Sequence, residues 1–125
     1  MNLLLDANVV IWMLGDSGRL NATTTAVLND PRNALWISTS TIHEIAVKAS
    51  IGKLRMPPDF LETLASKGCA FLPPSTEDVW RVAELPLIHR DPFDRLIVAQ
   101  AMGRGLTLMT SDHLLADYGV PVILI

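Results

Sequence analysis

Cysteine is nearly absent from this sequence. A single residue, Cys69, stands in 125, so no disulfide framework can form within one chain, which agrees with a cytoplasmic protein. No sequence-local partner marks Cys69 as a nucleophile. It opens the apolar run Cys69-Ala70-Phe71-Leu72 and reads as a small core residue. No apolar run approaches the roughly 18 residues needed to span a bilayer, so no membrane association is expected. The start, Met1-Asn2-Leu3-Leu4-Leu5-Asp6, has no basic region and is cut short by Asp6, which excludes a signal-peptide reading. The three histidines, His43, His89 and His113, never recur at metal-ligand spacing. No candidate site therefore combines the histidines and cysteines that zinc prefers. Long basic stripes are missing too, and the formal charge of −3 argues against a phosphate-binding surface.

What is present is apolar. Half the residues are hydrophobic and 18% are charged, the composition of a globular chain. A mean hydropathy of +0.33 implies a large core, or an apolar surface that a partner covers. The length fits one domain, residues 1–125. Short apolar strands are expected over 2–5, 34–38, 70–72, 106–109 and 122–125. Helical patterns fall between them, over 21–29, from Thr39-Ser40-Thr41 to Gly52, over 59–66, and from Ser75 to Pro86. A further helix runs from Asp91-Pro92 to Gly103 or Gly105, and a short one ends near Tyr118-Gly119. In the helix over 59–66, Phe60, Leu61, Leu64 and Ala65 are read as inward. The strands are continuous rather than alternating apolar runs, so both faces should be covered. The expected fold is a three-layer α/β domain with a mostly parallel, roughly five-stranded sheet flanked by helices.

The acids fall at comparable places in that pattern. Asp6 follows the first strand directly, and Asp112 follows the fourth by two residues. Glu44 lies in the first turn of the helix after the second strand, and Asp94 in the first turn of the helix before the fourth. Ligands of an open parallel sheet bind beyond the carboxyl ends of its strands, so these acids converge on one edge. Clustered carboxylates need a countercharge, and Mg²⁺ or Mn²⁺ supplies it through oxygen ligands. Such a site activates water and neutralises charge developing on a phosphate. Without those four of its 13 acids, the chain sets nine acids against ten bases, so a nucleic-acid substrate is compatible with its charge.

Each acid also has a plain structural role open to it. Thr41-Ile42-His43-Glu44 reads as a capping box, Asp91-Pro92-Phe93-Asp94 as a helix start with Asp91 as cap, and Ser111-Asp112 as a cap for the last helix. Taken singly, Glu44, Asp91 and Asp112 suit capping better than catalysis. Asp6 is harder to place, because an unpaired charge beside Val9-Val10-Ile11-Trp12 is costly. Supporting candidates are Asp91 as a further ligand, Asn8 to orient water, and Ser38 and Thr110 to hydrogen-bond carboxylates. Arg90 and Arg95 either contact phosphate or pair with Asp91 and Asp94. Lys48 and Lys53 read as a solvated helix face, and Trp12, Trp36 and Trp80 as core or interface residues.

At these residues the sequence resembles PIN-domain proteins, and more closely the VapC-type toxin ribonucleases of bacterial type II toxin–antitoxin pairs. The resemblance is carried by Leu3-Leu4-Leu5-Asp6-Ala7-Asn8, by Ser38-Thr39-Ser40-Thr41-Ile42-His43-Glu44-Ile45-Ala46-Val47-Lys48, and by Gly52-Lys53-Leu54. It continues in His89-Arg90-Asp91-Pro92-Phe93-Asp94-Arg95-Leu96-Ile97-Val98-Ala99-Gln100-Ala101 and in Leu106-Thr107-Leu108-Met109-Thr110-Ser111-Asp112. It implies a metal-dependent endoribonuclease using Mg²⁺ (or Mn²⁺), with Asp6, Glu44, Asp94 and Asp112 as catalytic and metal-binding acids. It also implies a homodimer, an RNA substrate and a cognate antitoxin that fills the active-site groove. Val9 to Leu14 offers an apolar interface for such a partner, or equally a buried helix. Ala7 stands where related sequences often carry Thr or Ser, and His43 where Trp is frequent. Two other readings compete: a non-catalytic PIN-fold module that binds RNA or protein, and a DNA or flap nuclease, for which the chain is too short to add a helical arch.

Overall fold

The computed structural model describes residues 1–15 and 17–125. Five strands form one sheet: β1 (Asn2–Leu5), β2 (Ala34–Ser38), β3 (Cys69–Leu72), β4 (Thr107–Thr110) and β5 (Val122–Leu124). Their order is β3-β2-β1-β4-β5, and every neighbouring pair is parallel. The helices are α1 (Ala7–Leu14), α2 (Ala22–Asn29), α3 (Thr39–Ser50), α4 (Phe60–Ser66), α5 (Thr76–Arg81) and α6 (Pro92–Arg104). The expected parallel α/β sheet is the observed one.

The two faces of β1 divide the core. Side chains alternate across a strand, so Leu3 and Leu5 point to one face and Leu4 to the other. Leu3 and Leu5 pack with Val9 and Val10 of α1, Ile45 of α3 and Leu64 of α4. Leu4 packs with Ile97, Val98 and Ala101 of α6, and with Leu115 and Tyr118. Covering on both faces holds for the central strands. It fails at β3, an edge strand whose Ala70 and Phe71 are exposed.

Several boundaries differ from the sequence reading, each for a local reason. Ser38 caps α3, its Oγ accepting from the Ser40 N–H at 3.1 Å. The helix therefore starts at Thr39, Glu44 falls in its second turn, and the capping box at Thr41–Glu44 does not form. The run Ser38-Thr39-Ser40-Thr41 offers four hydroxyls, and the end of β2 selects the first. In α4 only Leu64 is fully buried; Leu61 is 43% exposed and Ala65 is outside. α5 keeps the expected Ser75 cap, with Asp78 completing a capping box, but stops at Arg81 and tightens into a 3₁₀ turn over Val82–Glu84. Trp80 on α5 is 72% exposed, whereas Trp12 and Trp36 are half-buried. The last helix is a 3₁₀ segment, His113–Tyr118.

α6 has a firm beginning and end. Asp91 caps it, Pro92 occupies its first position, and Gly105 closes it at φ 65°, a left-handed conformation that favours glycine. Gly103 lies inside the helix because α5 packs over it: a Cβ there would sit 3.2 Å from Arg81 Nε and 3.3 Å from Asp78 Oδ1. The segment leading into α6 is folded back by Arg95. Its Nη1 donates to the carbonyls of Pro86 (2.9 Å) and His89 (3.4 Å), and its Nη2 to those of Val82 (3.0 Å) and Leu85 (3.3 Å). Neither phosphate contact nor pairing with Asp91 or Asp94 describes Arg95: a planar five-donor fork suits a nest of carbonyls. Lysine cannot reproduce that fork. Arg95→Lys should lower stability by about 1–3 kcal/mol in urea unfolding; an unchanged midpoint would remove Arg95 as the clamp of this segment.

Candidate active site

The strand order fixes where a site can form. From β1 the sheet grows toward β2 on one side and β4 on the other, and a crevice opens where the order reverses, beyond the carboxyl ends of β1 and β4. Asp6 leaves β1 at that point. Its backbone N–H still bonds the Met109 carbonyl at 3.0 Å, and its side chain caps α1 by accepting from the Val9 N–H at 3.1 Å. The other carboxylate oxygen accepts from the hydroxyl of Thr110, at the end of β4. Thr110 Oγ1 itself accepts from the Asp112 N–H at 3.0 Å, so its proton is directed at Asp6.

Asp112 divides its oxygens in the same way. Oδ1 accepts from the Leu114 N–H at 3.0 Å and caps the last 3₁₀ helix, while Oδ2 lies 2.7 Å from His89 Nε2. On α6, Asp91 Oδ1 accepts from the N–H groups of Phe93 (2.8 Å) and Asp94 (3.0 Å). Asp94 stands in the first turn, with Oδ2 3.3 Å from the same His89 nitrogen. Glu44 extends from α3 and is paired with Lys48 one turn on, at 3.0 Å. One cavity of about 170 Å³ is lined by all four acids together with Asp91, Asn8 and Lys48. Among the described residues, Lys48 is the only lysine or arginine on its wall.

That imbalance appears in the acidities. Burial, then the charges of Asp91 and Glu44, push Asp94 up to about 7, with the His89 ring pulling the other way. Asp6 is 5% exposed and is also raised, by burial first, against the hydrogen bonds from Thr110 and the Val9 N–H. Asp78 shows what a partner does. Its burial likewise raises it, yet the Ser75 N–H and the Arg104 guanidinium at 2.9 Å hold it below the ordinary value. Among the described residues no such guanidinium pairs with Asp94 or Asp6, and a site of this kind favours a cation. The larger cleft of about 370 Å³ between α2 and the start of β3 offers Asp30, already paired with Arg32 at 2.8 Å, and Lys67.

Asp6, Glu44, Asp91, Asp94, Asp112 and Asn8 thus meet in one cavity. Thr110 supports it from behind. Asn8 reaches across to Ser111 Oγ at 3.2 Å. Ser38 is buried at the α3 cap; neither it nor the exposed Arg90, which has no ion pair among the described residues, lines the cavity. Lys48 is no merely solvated face, and its place four residues after Glu44 was the readable sign. His89 contacts two of the acids, although the histidines show no metal-ligand spacing in the sequence. Twenty-three residues separate His89 from Asp112, so no local pattern marks that pair.

Stability should follow the acidity of Asp94. Its folded value of about 7 lies above the ordinary 3.8. Between these values the folded chain keeps a proton that the unfolded chain has released. Metal-free protein should therefore lose stability as pH rises from about 4 to about 7, by a few kcal/mol at most, and then level off. Asp94→Asn should flatten this slope and stabilise the metal-free protein at pH 8. Equal slopes for both proteins in urea unfolding would refute the assignment.

The profile of the PIN domain family matches residues 3–121. No curated protein matches the sequence. Among solved structures, VapBC2 from Rickettsia felis, bound to a DNA fragment from its promoter, superposes with a TM-score of 0.75 at 15% identity, over 99% of this chain and 98% of that one. DNA-bound VapBC from Salmonella typhimurium gives 0.70 at 20% identity, over 98% and 97%. FitAcB from Neisseria gonorrhoeae gives 0.64 at 19%, over 97% and 96%. At these identities the likeness is one of fold. With the profile match running from β1 through β4 and ending just before β5, this chain belongs to the PIN domain family.

Proposed function

We propose that this chain is a metal-dependent endoribonuclease and acts as the toxin of a type II toxin–antitoxin pair. The observation that carries the reading is the single cavity lined by Asp6, Glu44, Asp94 and Asp112 with one lysine to offset them. PIN-family membership and the fold shared with VapBC complexes support it.

The cavity suits a hard divalent ion: its acids offer oxygen donors, and burial disfavours the charged forms of Asp6 and Asp94 unless a cation accompanies them. Asp6 and Asp94 would hold Mg²⁺ (or Mn²⁺), with Glu44 and Asp112 completing the site. The bound ion would supply an activated water and neutralise charge on the scissile phosphate. Thr110 keeps the Asp6 carboxylate turned. Lys48 offsets Glu44 and adds positive charge on the wall that a phosphate approaches. Asn8 orients a water or a phosphate oxygen, and the exposed Arg90 is free to contact the backbone of the substrate.

Unpaired RNA is the proposed substrate, since loops expose both backbone and bases. No described helix is long and apolar enough to cross a membrane, in keeping with a cytoplasmic protein acting on cellular RNA. The proposed partners are a cognate antitoxin and a second copy of the chain. Val9 and Val10 are fully buried, so α1 serves the core first; the exposed Val79 and Trp80 of α5 offer apolar area for a partner.

Asp6→Asn keeps the side-chain shape and removes its charge. It should lower RNA cleavage by roughly 100-fold or more while leaving the thermal transition cooperative. EDTA should do the same to the unaltered protein, and matched DNA strands should remain intact. Full activity in either case would sink the metal mechanism. RNA binding with no cleavage across Mg²⁺ and Mn²⁺ would favour the non-catalytic module.

A further inference from the structure

His89 stands among the acids, and proximity alone would make it a metal ligand: its ring nitrogen and one oxygen each of Asp94 and Asp112 lie within 4.8 Å of one another. The hydrogen bonds around the ring point elsewhere. Nδ1 lies 3.0 Å from the backbone nitrogen of Asp91, and a backbone N–H can only donate. Nδ1 therefore presents its lone pair. A neutral imidazole carries one proton, so that proton sits on Nε2. Nε2 then donates to Asp112 Oδ2 at 2.7 Å, with Asp94 Oδ2 at 3.3 Å.

A nitrogen that binds a metal must offer a lone pair. For Nε2 to do so, the proton would have to move to Nδ1 and face the Asp91 N–H. Asp91 cannot simply turn away, because its own side chain caps α6 through the Phe93 and Asp94 N–H groups. The backbone of His89 is held as well: its N–H donates to the buried Tyr118 hydroxyl at 2.8 Å, and its carbonyl accepts from Arg95.

We infer that His89 is a positioning residue of the proposed metal site, a fixed Nε2–H donor that ties Asp112 to the α6 start bearing Asp94, and that it does not ligate the ion. The inference rests on the metal-site reading above. It means that two acids 18 positions apart in sequence are brought together by a side chain before any ion arrives. Imidazole here does the work usually done by a group behind the ligands, fixing their orientation.

The test is a long-range ¹H–¹⁵N correlation spectrum of histidine-labelled protein, with the His89 signals assigned by their loss in His89→Gln. The Nε2–H tautomer is expected in metal-free protein and at saturating Mg²⁺. In calorimetric titration with Mg²⁺, His89→Ala should bind about tenfold more weakly. His89→Gln, whose amide N–H can replace the donor, should stay within about twofold of the unaltered protein, a small part of that loss. An Nδ1–H tautomer, or loss of the Nε2 proton on Mg²⁺ loading, overturns the inference and leaves the metal reading standing. So does a glutamine variant as weak as the alanine one. Absence of any Mg²⁺ shift at the Asp6 and Asp94 amides overturns both. If His89→Ala does not fold, the tautomer and the glutamine variant decide.

Discussion

Like charges gather in a folded chain only where something holds each of them, and here much of that holding is done by helix N-termini. Asp6 gives one oxygen to the Val9 N–H at the start of α1, and Asp112 gives one to the Leu114 N–H at the start of the last 3₁₀ helix. Asp91 does the same for α6. These N–H groups would otherwise be unsatisfied, and their partial positive charge favours a carboxylate. For Asp6 and Asp112 the second oxygen is then left for the interior of the site, where Thr110 and His89 meet it. Capping and site chemistry are therefore not rival explanations for these residues. One carboxylate serves both, one oxygen each.

Much of this was legible in the residues because it depends on short-range pattern. Continuous apolar strands separated by helical spacing announce a parallel sheet, and strand-following acids announce its carboxyl edge. Asp91-Pro92 marked the α6 start without ambiguity, since few residues other than proline suit the first helical position so well. Where several residues of one kind compete, as in Ser38-Thr39-Ser40-Thr41, sequence does not choose; the end of β2 does, and it moved Glu44 from a capping position into the second turn.

The illegible parts are those made by contacts distant in sequence. Arg95 next to Asp94 invites an ion pair, yet its guanidinium is taken by the carbonyls of the preceding segment. Nothing local reveals that those carbonyls converge on one side chain. His89 and Tyr118 are 29 positions apart, and their contact exists only because β4 lies beside β1 and carries the segment after it back over α6. The exposed Trp80 is a further case: its helical pattern leaves core and interface both open, and the short α5 turns it outward.

The placement of β4 between β1 and β5 has a consequence in time. Asp6 emerges during synthesis 104 positions before its neighbour Thr110, and the acid Asp112 follows later still. A nascent chain halted before β4 holds at most three of the four acids and lacks the strand that completes their edge. The proposed nuclease would thus be inert until β4 has been made, on a ribosome surrounded by RNA, and would acquire its site only as β4 and β5 close the sheet.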